Sequence, residues 1–293
     1  MTNHIRPPKG VAGTTRSFPT PYQRAVGRIR GPLLLAWAVL AVVEAFFADL
    51  SGWLMLGATI VVFAIYFYVG TPKAIPRNIH SPVVGRWKAM NSPASRVPSH
   101  MVHAYGQTYA IDLTHHPEDG DRPRAGAFWP PAHSPEDYPS FGQPVLAPVD
   151  GTVVKVHHTA RDHLSRTSWI GVLYLLVEST VREMVGLRGI VGNHIVIDDG
   201  EGAFALVAHL RQHSVRVREG EEVEAGQLLA ECGNSGNSTE PHVHVQMMDH
   251  PNPYFACGLP FQFEPDTIGA DHAGVPSNGH AMVGTTRPAA VGE

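Results

Sequence analysis

Two apolar runs lie close together near the start of the chain. LLLAWAVLAVVEAFF and WLMLGATIVVFAIYFYV are separated by ADLSG, and Glu44 and Asp49 are the only charged residues between positions 32 and 70. A helix crosses a bilayer with about 20 apolar residues, and each half of this segment offers 15 to 20. The pattern predicts a transmembrane hairpin of two short helices over residues 32–70. A buried helical hairpin in a water-soluble protein is the alternative.

The segments that flank this hairpin and the end of the chain have compositions typical of unpacked chain. Residues 1–31 contain six basic residues, no acidic residue and four prolines, which predicts a disordered basic arm. Residues 71–99 are rich in proline and serine and are interpreted as a linker. Residues 266–293 are rich in Gly, Ala, Thr and Pro and are interpreted as a disordered tail.

Alternating apolar and polar residues between these segments predict a mainly β domain over residues 100–265. PVLAPVDGTVVKVHH reads as strand, Asp-Gly turn and strand. Further strands are predicted in GNHIVIDDG, AFALVAHL, QLLAECGNS and PHVHVQMMD. Residues 158–189 interrupt the strands with apolar residues at helical spacing. They are interpreted as an inserted amphipathic helix, packed on the sheet or lying on the membrane surface.

The charge and the histidine content narrow the class of protein. There are 22 Lys plus Arg against 26 Asp plus Glu, a net charge of −4, and no long basic run, so nucleic acid is not expected as a partner. The two cysteines are too few for a disulfide framework. The 18 histidines are a surplus for this length, and imidazole is both a metal ligand and a general base. Candidate chemistry is therefore sought among the histidines.

Three sequence elements carry candidate chemistry. His242 and His244 are two residues apart in a predicted strand, so both side chains project from one face. Asp112 lies within the apolar run YAIDL, where a carboxylate needs a cationic or metal partner. His209 ends the predicted strand before Leu210. Each element alone is compatible with an ordinary structural role. Together they supply enough ligands for a catalytic zinc site with an open position.

The ordered set of motifs resembles the lysostaphin/LytM-like zinc metalloendopeptidases. HAYGQTYAIDL, LAPVDGTVVKV, GNHIVIDDG, VAHL and VREGEEVEAGQLLAECGNSGNSTEPHVHVQ follow one another as the corresponding family motifs do. The resemblance implies an antiparallel β-sheet domain built on a duplicated hybrid motif, with one Zn²⁺ per chain. It implies His103, Asp112 and His244 as metal ligands. It also implies His209 and His242 as catalytic residues that activate water and stabilise the oxyanion.

The same resemblance implies hydrolysis of peptide bonds in bacterial peptidoglycan by a member anchored in the bilayer. The catalytic domain is then expected outside the cell. The charge pattern disagrees, because basic residues follow the hairpin while its turn has none, which by the positive-inside rule leaves both termini in the cytoplasm.

Three departures from the family pattern leave alternatives open. His103 precedes Asp112 by nine residues, a longer gap than the family's usual one, so His100 and His115 are rival candidates for the first ligand. Val207 stands where the family often has an aromatic residue. The insert at 158–189 is long enough to narrow or cap the cleft.

Two functions other than a peptidase are compatible with parts of the sequence. LAPVDGTVVKV and VREGEEVEAGQLLAECG also resemble the half-motifs of biotinyl, lipoyl and phosphotransferase carrier domains. The second half has no lysine for a swinging arm, while the histidine pair that a phosphocarrier needs is present, and Asp112 within YAIDL favours the zinc enzyme. A catalytically inactive member of the same fold, acting as a binding or regulatory module, is the remaining alternative. Such a member generally lacks a ligand, whereas this sequence keeps a candidate for every position.

Overall fold

The computed structural model describes residues 5–6, 19–47, 51–67, 74–118, 122–123, 125–184, 186–268 and 274–285. The helices in these ranges are α1 (Pro21–Phe47), α2 (Gly52–Phe67), α3 (Trp169–Met184) and α4 (Leu187–Val191). The strands are β1 (Ile5–Arg6), β2 (Arg77–Ile79), β3 (Gly85–Met90), β4 (Ile111–His115), β5 (Pro144–Leu146), β6 (Gly151–His157), β7 (His194–Asp198), β8 (Phe204–Ala208), β9 (Glu222–Val223), β10 (Leu228–Glu231), β11 (Val243–Met248), β12 (Gly258–Leu259), β13 (Phe261–Phe263), β14 (Val275–Pro276) and β15 (Ala281–Gly284).

One large sheet dominates the domain. Its strands run in the order β15-β3-β4-β11-β8-β7-β6-β9, with β12 also paired to β11. The neighbouring strands along this order are antiparallel. A short antiparallel pair of β5 and β10 lies beside it. The predicted mainly β, antiparallel architecture is confirmed.

The alternation along β11 explains how the sheet separates its core from a polar site. Val243, Val245 and Met247 point into the main hydrophobic core. The intervening side chains must project from the opposite face, because side chains alternate along a strand. These are His244 and Gln246, followed by Met248, which packs in a smaller cluster with residues of α4. The polar positions of β11 therefore share one face and one cleft.

The three segments predicted to be unpacked take part in the fold. The linker prediction is wrong for residues 77–90, because β3 joins the main sheet and Trp87 is fully buried. The tail prediction is wrong for residues 281–284, which pair with β3 as an edge strand. The predicted boundary at residue 32 falls inside α1, which begins at Pro21. Ile5–Arg6 pairs with β14, and the rest of the predicted arm before residue 19 lies outside the described residues.

Helices α1 and α2 pack against each other. The Trp37 ring meets Phe63 edge to face with centroids 5.4 Å apart, and Trp37 Nε1 donates to Thr59 Oγ1 at 3.0 Å. Residues Pro21–Phe46 of α1 are long and apolar enough to cross a membrane, with a mean hydropathy of 1.7, while the apolar part of α2, Gly52–Ile65, is shorter. The pair corresponds to the two apolar runs of the sequence.

The insert at 158–189 forms α3 and leads into α4. Glu178 of α3 accepts from both Arg166 and Arg182 at 2.9 Å, which fixes the helix against the segment before it. Ser179 donates to Asn237 Oδ1 at 2.9 Å, so α3 packs against the loop that precedes β11. Trp169 stays largely exposed at the start of the helix. The predicted helix is present, and it is α4, through Ile190 and Val191, that reaches the cleft.

Candidate metal centre

Three side chains converge on one point at the polar face of the sheet. Ligand atoms of His100, Asp112 and His244 all lie within 4.8 Å of one another. The carboxylate of Asp112 bridges the two imidazoles, with Oδ2 at 3.0 Å from His100 Nε2 and Oδ1 at 2.8 Å from His244 Nδ1. Two histidines and a carboxylate are the donor set of a catalytic zinc site that keeps a fourth position open.

The sheet register brings two of these residues together. Asp112 on β4 lies directly opposite His244 on β11 in an antiparallel pair. Ala208, at the end of β8, faces His244 from the other side, so His209 follows immediately beside the same centre. His100 comes from the loop before β4, which is tied to the short 3-10 helix Ala104–Tyr109 where Ser99 N donates to Thr108 O at 3.0 Å.

Surrounding polar groups orient the candidate ligands. The Nδ1 of His100 lies 3.0 Å from Ser99 Oγ, and the Nε2 of His244 lies 3.0 Å from Gln246 Oε1. With the proton on those outer nitrogens, the lone pairs of His100 Nε2 and His244 Nδ1 point to Asp112. Asn91 Nδ2 donates to Asp112 Oδ2 at 2.8 Å. This arrangement fits the way metal-binding histidines are held by a second layer of hydrogen bonds.

The electrostatics of Asp112 agree with a cationic site. Burial by itself raises the pKa of this carboxyl group, but the charges of His100 and His242 outweigh burial and hold the pKa well below its usual range. The carboxylate is therefore ionised and surrounded by imidazoles in a buried position. A divalent cation bound here would compensate the charge of this carboxylate.

His103 lies outside this cluster. Its Nδ1 is 3.1 Å from Thr108 Oγ1, its carbonyl accepts from Arg30 at 3.2 Å, and burial together with Arg30 lowers its pKa to about 4. His115, the other rival, packs against Trp87 with its Nδ1 3.2 Å from Pro139 O. The structure thus brings together Asp112 and His244 as the sequence predicted, with His100 rather than His103 as the third member.

The backbone of the intervening loop explains the difference. Tyr105 and Gly106 have φ values of 60° and 70°, so the chain reverses between His103 and Asp112. A Cβ added at Gly106 would lie 2.9 Å from Gln246 Nε2, a further reason for glycine there. Met101, which separates the two histidines, also has a positive φ of 67°, and it is His100 whose Nε2 lies 3.0 Å from Asp112 Oδ2. Sequence spacing gives no signal for this turn beyond the presence of Gly106.

The two predicted catalytic histidines lie beside the cluster. The His209 ring is 4.6 Å from that of His242 and 5.8 Å from that of His244, centroid to centroid. His209 Nδ1 lies 2.8 Å from Ser235 O, and His242 Nδ1 lies 2.8 Å from Glu240 O. Each ring therefore donates its Nδ1 proton to a carbonyl and turns Nε2 to the cleft.

The environments of these two histidines shift their pKa values in opposite directions. Burial, reinforced by His242 and His244, holds the pKa of His209 well below its usual value. Burial also lowers the pKa of His242, but the carboxylate of Asp112, 3.5 Å away, outweighs it and raises the pKa. A neutral imidazole thus stands next to one that favours its protonated form, which is the arrangement of an acid and base pair.

A cleft of about 710 Å³ opens over the cluster. One wall carries polar groups, among them His100, His209, His242 and Gln246. Apolar side chains of α1 and α2 also line it: Leu34, Leu35, Trp37, Ala38 and Phe63. The volume is in the usual range for sites that take small ligands or a few residues of peptide.

Residues 176–255, which contain His209, His242 and His244, match the sequence model of Peptidase family M23. The C-terminal half of the β domain therefore resembles an M23 peptidase domain. This match confirms the resemblance drawn from the motifs.

Several solved structures are similar to the chain at low identity. Lysostaphin from Staphylococcus simulans is 19% identical, with a TM-score of 0.30, over 51% of this chain and 41% of that one. The chain thus spans less than half of that protein. A variant of the catalytic domain of the prophage-encoded M23 protein EnpA from Enterococcus faecalis is 21% identical, with a TM-score of 0.27, over 53% and 96%. A chain of the SpoIIQ–SpoIIIAH pore-forming complex is 17% identical, with a TM-score of 0.33, over 63% and 89%.

Proposed function

We propose that this protein is a zinc-dependent metalloendopeptidase that holds one Zn²⁺ with His100, Asp112 and His244. The observation that carries the proposal is the convergence of these three side chains within 4.8 Å, each tied to a second polar partner. When bound, zinc supplies Lewis acidity, which lowers the pKa of a coordinated water to about 7.

His209 is proposed as the general base. Its Nδ1 donates to Ser235 O, so Nε2 carries the lone pair, and its lowered pKa keeps the ring neutral. A neutral imidazole within the cleft can take the proton from the attacking water and return it to the departing amine.

His242 is proposed to stabilise the oxyanion. Its Nδ1 is engaged by Glu240 O, and its pKa is raised because the carboxylate of Asp112 outweighs burial. Its Nε2 lies 3.5 Å from Asp112 Oδ1, at the edge of the proposed metal centre. A proton there could donate a hydrogen bond to the carbonyl oxygen of a bound substrate as negative charge develops.

The proposed substrate is the peptide part of bacterial peptidoglycan, and the proposed location is the bacterial membrane. The substrate follows from the family resemblance of the motifs. The location is supported by α1, of whose most apolar stretch only 11% is buried within the structure. A helix that exposes most of its apolar surface needs a lipid environment. Cleavage outside the cell would then be limited to wall peptides near the membrane.

The test compares three alanine variants of the full-length protein in detergent. His100→Ala should lose stoichiometric zinc and hydrolysis, because it removes a ligand. His103→Ala should retain zinc, because its imidazole is bonded to Thr108. His209→Ala should retain zinc and lose hydrolysis of purified wall fragments. Zinc bound by His100→Ala as tightly as by the parent contradicts the ligand assignment, and full zinc loading without any peptide hydrolysis in the parent favours an inactive, partner-binding member.

A further inference from the structure

A second pair of histidines lies on the same face of the sheet as the proposed metal centre. His244 on β11 is opposite Ala208 on β8, and Ala208 is opposite His194 on β7. His194 is in turn opposite His157 on β6, and these two rings stack with centroids 5.9 Å apart. Residues directly opposite each other in antiparallel strands project from one face. Since neighbouring strands are about 4.8 Å apart, this histidine pair begins about 10 Å from His244.

Both rings of the histidine pair have a buried nitrogen without a hydrogen bond. His194 is 1% exposed, and its Nδ1 lies 2.8 Å from Gly192 O. Its Nε2 has no hydrogen-bond partner among the described residues, and neither has Nδ1 of His157. Nearly all buried polar atoms in folded proteins have a partner, so two exceptions side by side indicate a place for a ligand.

The histidine pair lines a second cavity, of about 540 Å³, which carries a positive charge. Lys155 of β6 and Arg188 of α4 also line it. Burial is the main reason that the pKa values of both imidazoles are lowered, and the charges of Lys155 and Arg188 lower them further. Glu219 is the one acidic residue in the described lining, and its Oε1 accepts from Val156 N at 2.9 Å. Two cations therefore share this space with a single carboxylate that is already engaged.

The polar groups of the second cavity define the chemistry of its ligand. The pKa of His194 is lowered to about 4, so the ring is neutral at neutral pH. Because Nδ1 donates to Gly192 O, Nε2 carries the lone pair and accepts a hydrogen bond. Lys155 and Arg188 offer only donors and a positive charge. The matching ligand has an anionic oxygen group beside an N–H donor, which is what an acidic residue in a peptide provides.

Helix α4 lies between the second cavity and the cleft over the metal centre. Leu187 and Arg188 at its start line the second cavity, while Ile190 and Val191 at its end line the cleft. An extended peptide advances about 3.3 Å per residue, so the separation of about 10 Å corresponds to about three residues. A peptide held at the metal centre therefore reaches the second cavity across α4.

Tyr254 lines both spaces as well, and α1 holds it in place. A Cβ on Gly31 would lie 2.5 Å from the ring of Tyr254, and one turn earlier a Cβ on Gly27 would collide with the Sγ of Cys257. Only glycine allows this approach of the helix. The partition between the two spaces is thus closely packed, and the fold sets the distance between them.

We propose that the second cavity binds a carboxylate of the substrate peptide, about three residues from the cleaved bond, through Lys155 and Arg188, while His194 accepts from a neighbouring amide N–H. The inference rests on the proposed peptidase function and adds a requirement for the substrate. Free carboxylates are part of peptidoglycan peptides, so the requirement agrees with the proposed substrate.

The test uses the full-length, zinc-loaded protein in detergent and a wall peptide that the parent cleaves. The peptide is synthesised in versions in which one carboxylate at a time is replaced by a carboxamide. Replacement about three residues from the cleaved bond should raise KM about 10-fold, the lower end of what a hydrogen bond to a charged group contributes. The value of kcat should change little, because the contact lies away from the reacting atoms.

Two variants remove the proposed cations one at a time. Lys155→Gln and Arg188→Gln should each raise KM for the acidic peptide and leave KM for its carboxamide unchanged, because the lost charge acts on the carboxylate. Lys88→Gln is the matched control, since Lys88 is also a strand lysine, on β3, and is not in the described lining of either space. Calorimetric titration of both peptides into zinc-loaded His209→Ala measures the same preference without hydrolysis.

The outcomes separate the two proposals. Equal KM values for every acid and its carboxamide, or a preference that Lys155→Gln and Arg188→Gln leave unchanged, overturn the role of the second cavity and leave the peptidase proposal standing. A zinc-loaded parent that cleaves no wall peptide overturns the peptidase proposal, and the inference with it.

Discussion

Gln246 offers a direct test of how the metal centre is held together. It follows His244 by two residues on the same face of β11 and is 2% exposed. Its Oε1 accepts from His244 Nε2 at 3.0 Å, and its Nε2 donates to Tyr105 O at 2.9 Å. The amide therefore fixes the tautomer of a proposed ligand and connects it to the loop that begins at His100.

The expected effect of Gln246→Ala follows from these two hydrogen bonds. Removal of a hydrogen-bond partner from a metal-binding histidine typically lowers metal affinity by about 10- to 100-fold, which corresponds to about 1.4–2.8 kcal/mol. The carbonyl of Tyr105 also loses a buried donor, which costs about 1–3 kcal/mol of folding free energy. Gln246→Glu keeps the acceptor for His244 and should retain more zinc affinity than Gln246→Ala.

The assay is a competition titration of zinc against a chromophoric chelator at pH 7.5, with urea unfolding measured in parallel. Gln262→Ala is the control, because that amide bonds only a surface partner, Asn78, at 2.7 Å. A zinc affinity of folded Gln246→Ala within twofold of the parent's would refute the reasoning, since His244 would then need no partner to bind metal.

Three further outcomes are expected. Burial is the main reason that the pKa of His194 is lowered to about 4 in the folded protein. In the unfolded chain the pKa of the same imidazole is near 6.5, so the unfolded chain takes up the proton first as the pH falls. The free energy of unfolding should therefore decrease between pH 6.5 and 4, by about 2 kcal/mol at pH 5, and urea titrations of His194→Phe at pH 7.5 and 5 should lack this part of the loss. Zinc at 100 times its Kd should stabilise the parent by about 2.7 kcal/mol, so a chelator should lower Tm in the parent and leave His100→Ala unchanged. Asp162 accepts from the backbone N of Asn234 at 2.6 Å and of Gln212 at 2.9 Å, so Asp162→Ala should lose about 2 kcal/mol in urea unfolding while zinc content stays the same.

The sheet and half of the centre are predictable from local pattern. Short apolar runs in HIVID and FALVA encode buried strands, and the alternation in VHVQM places His244 on the face opposite Val243 and Val245. Asp112 is recognisable because a carboxylate within an apolar strand needs a partner. These residues lie in regular elements, where sequence distance translates directly into position.

The first ligand lies in a loop, and there sequence distance fails. Positive φ angles at Met101, Tyr105 and Gly106 set the path of this loop, and non-glycine residues such as Met101 and Tyr105 give no warning of such a conformation. Asn91 was missed for a related reason. It directly follows β3, in a segment whose proline-rich composition predicts a linker.

The start of α1 shows where prediction from composition fails. Basic residues and prolines before residue 32 suggest unpacked chain when they are judged by composition. The spacing of Gly27 and Gly31 was a signal of close helix packing, but it acquires meaning only against Cys257 and Tyr254, which are more than two hundred residues away. Contacts between residues so far apart in sequence are set by the tertiary structure and are not visible in a local sequence pattern.

The edge strand β15 has a practical consequence for anyone who shortens this protein. Ala281–Gly284 covers the free side of β3 along Gly85–Lys88. Truncation at residue 266, the boundary that composition suggests, would leave β3 with a row of unsatisfied amide and carbonyl groups, which template association with other chains. Insoluble or self-associating preparations of such a fragment would then reflect a missing strand and say nothing about the catalytic machinery.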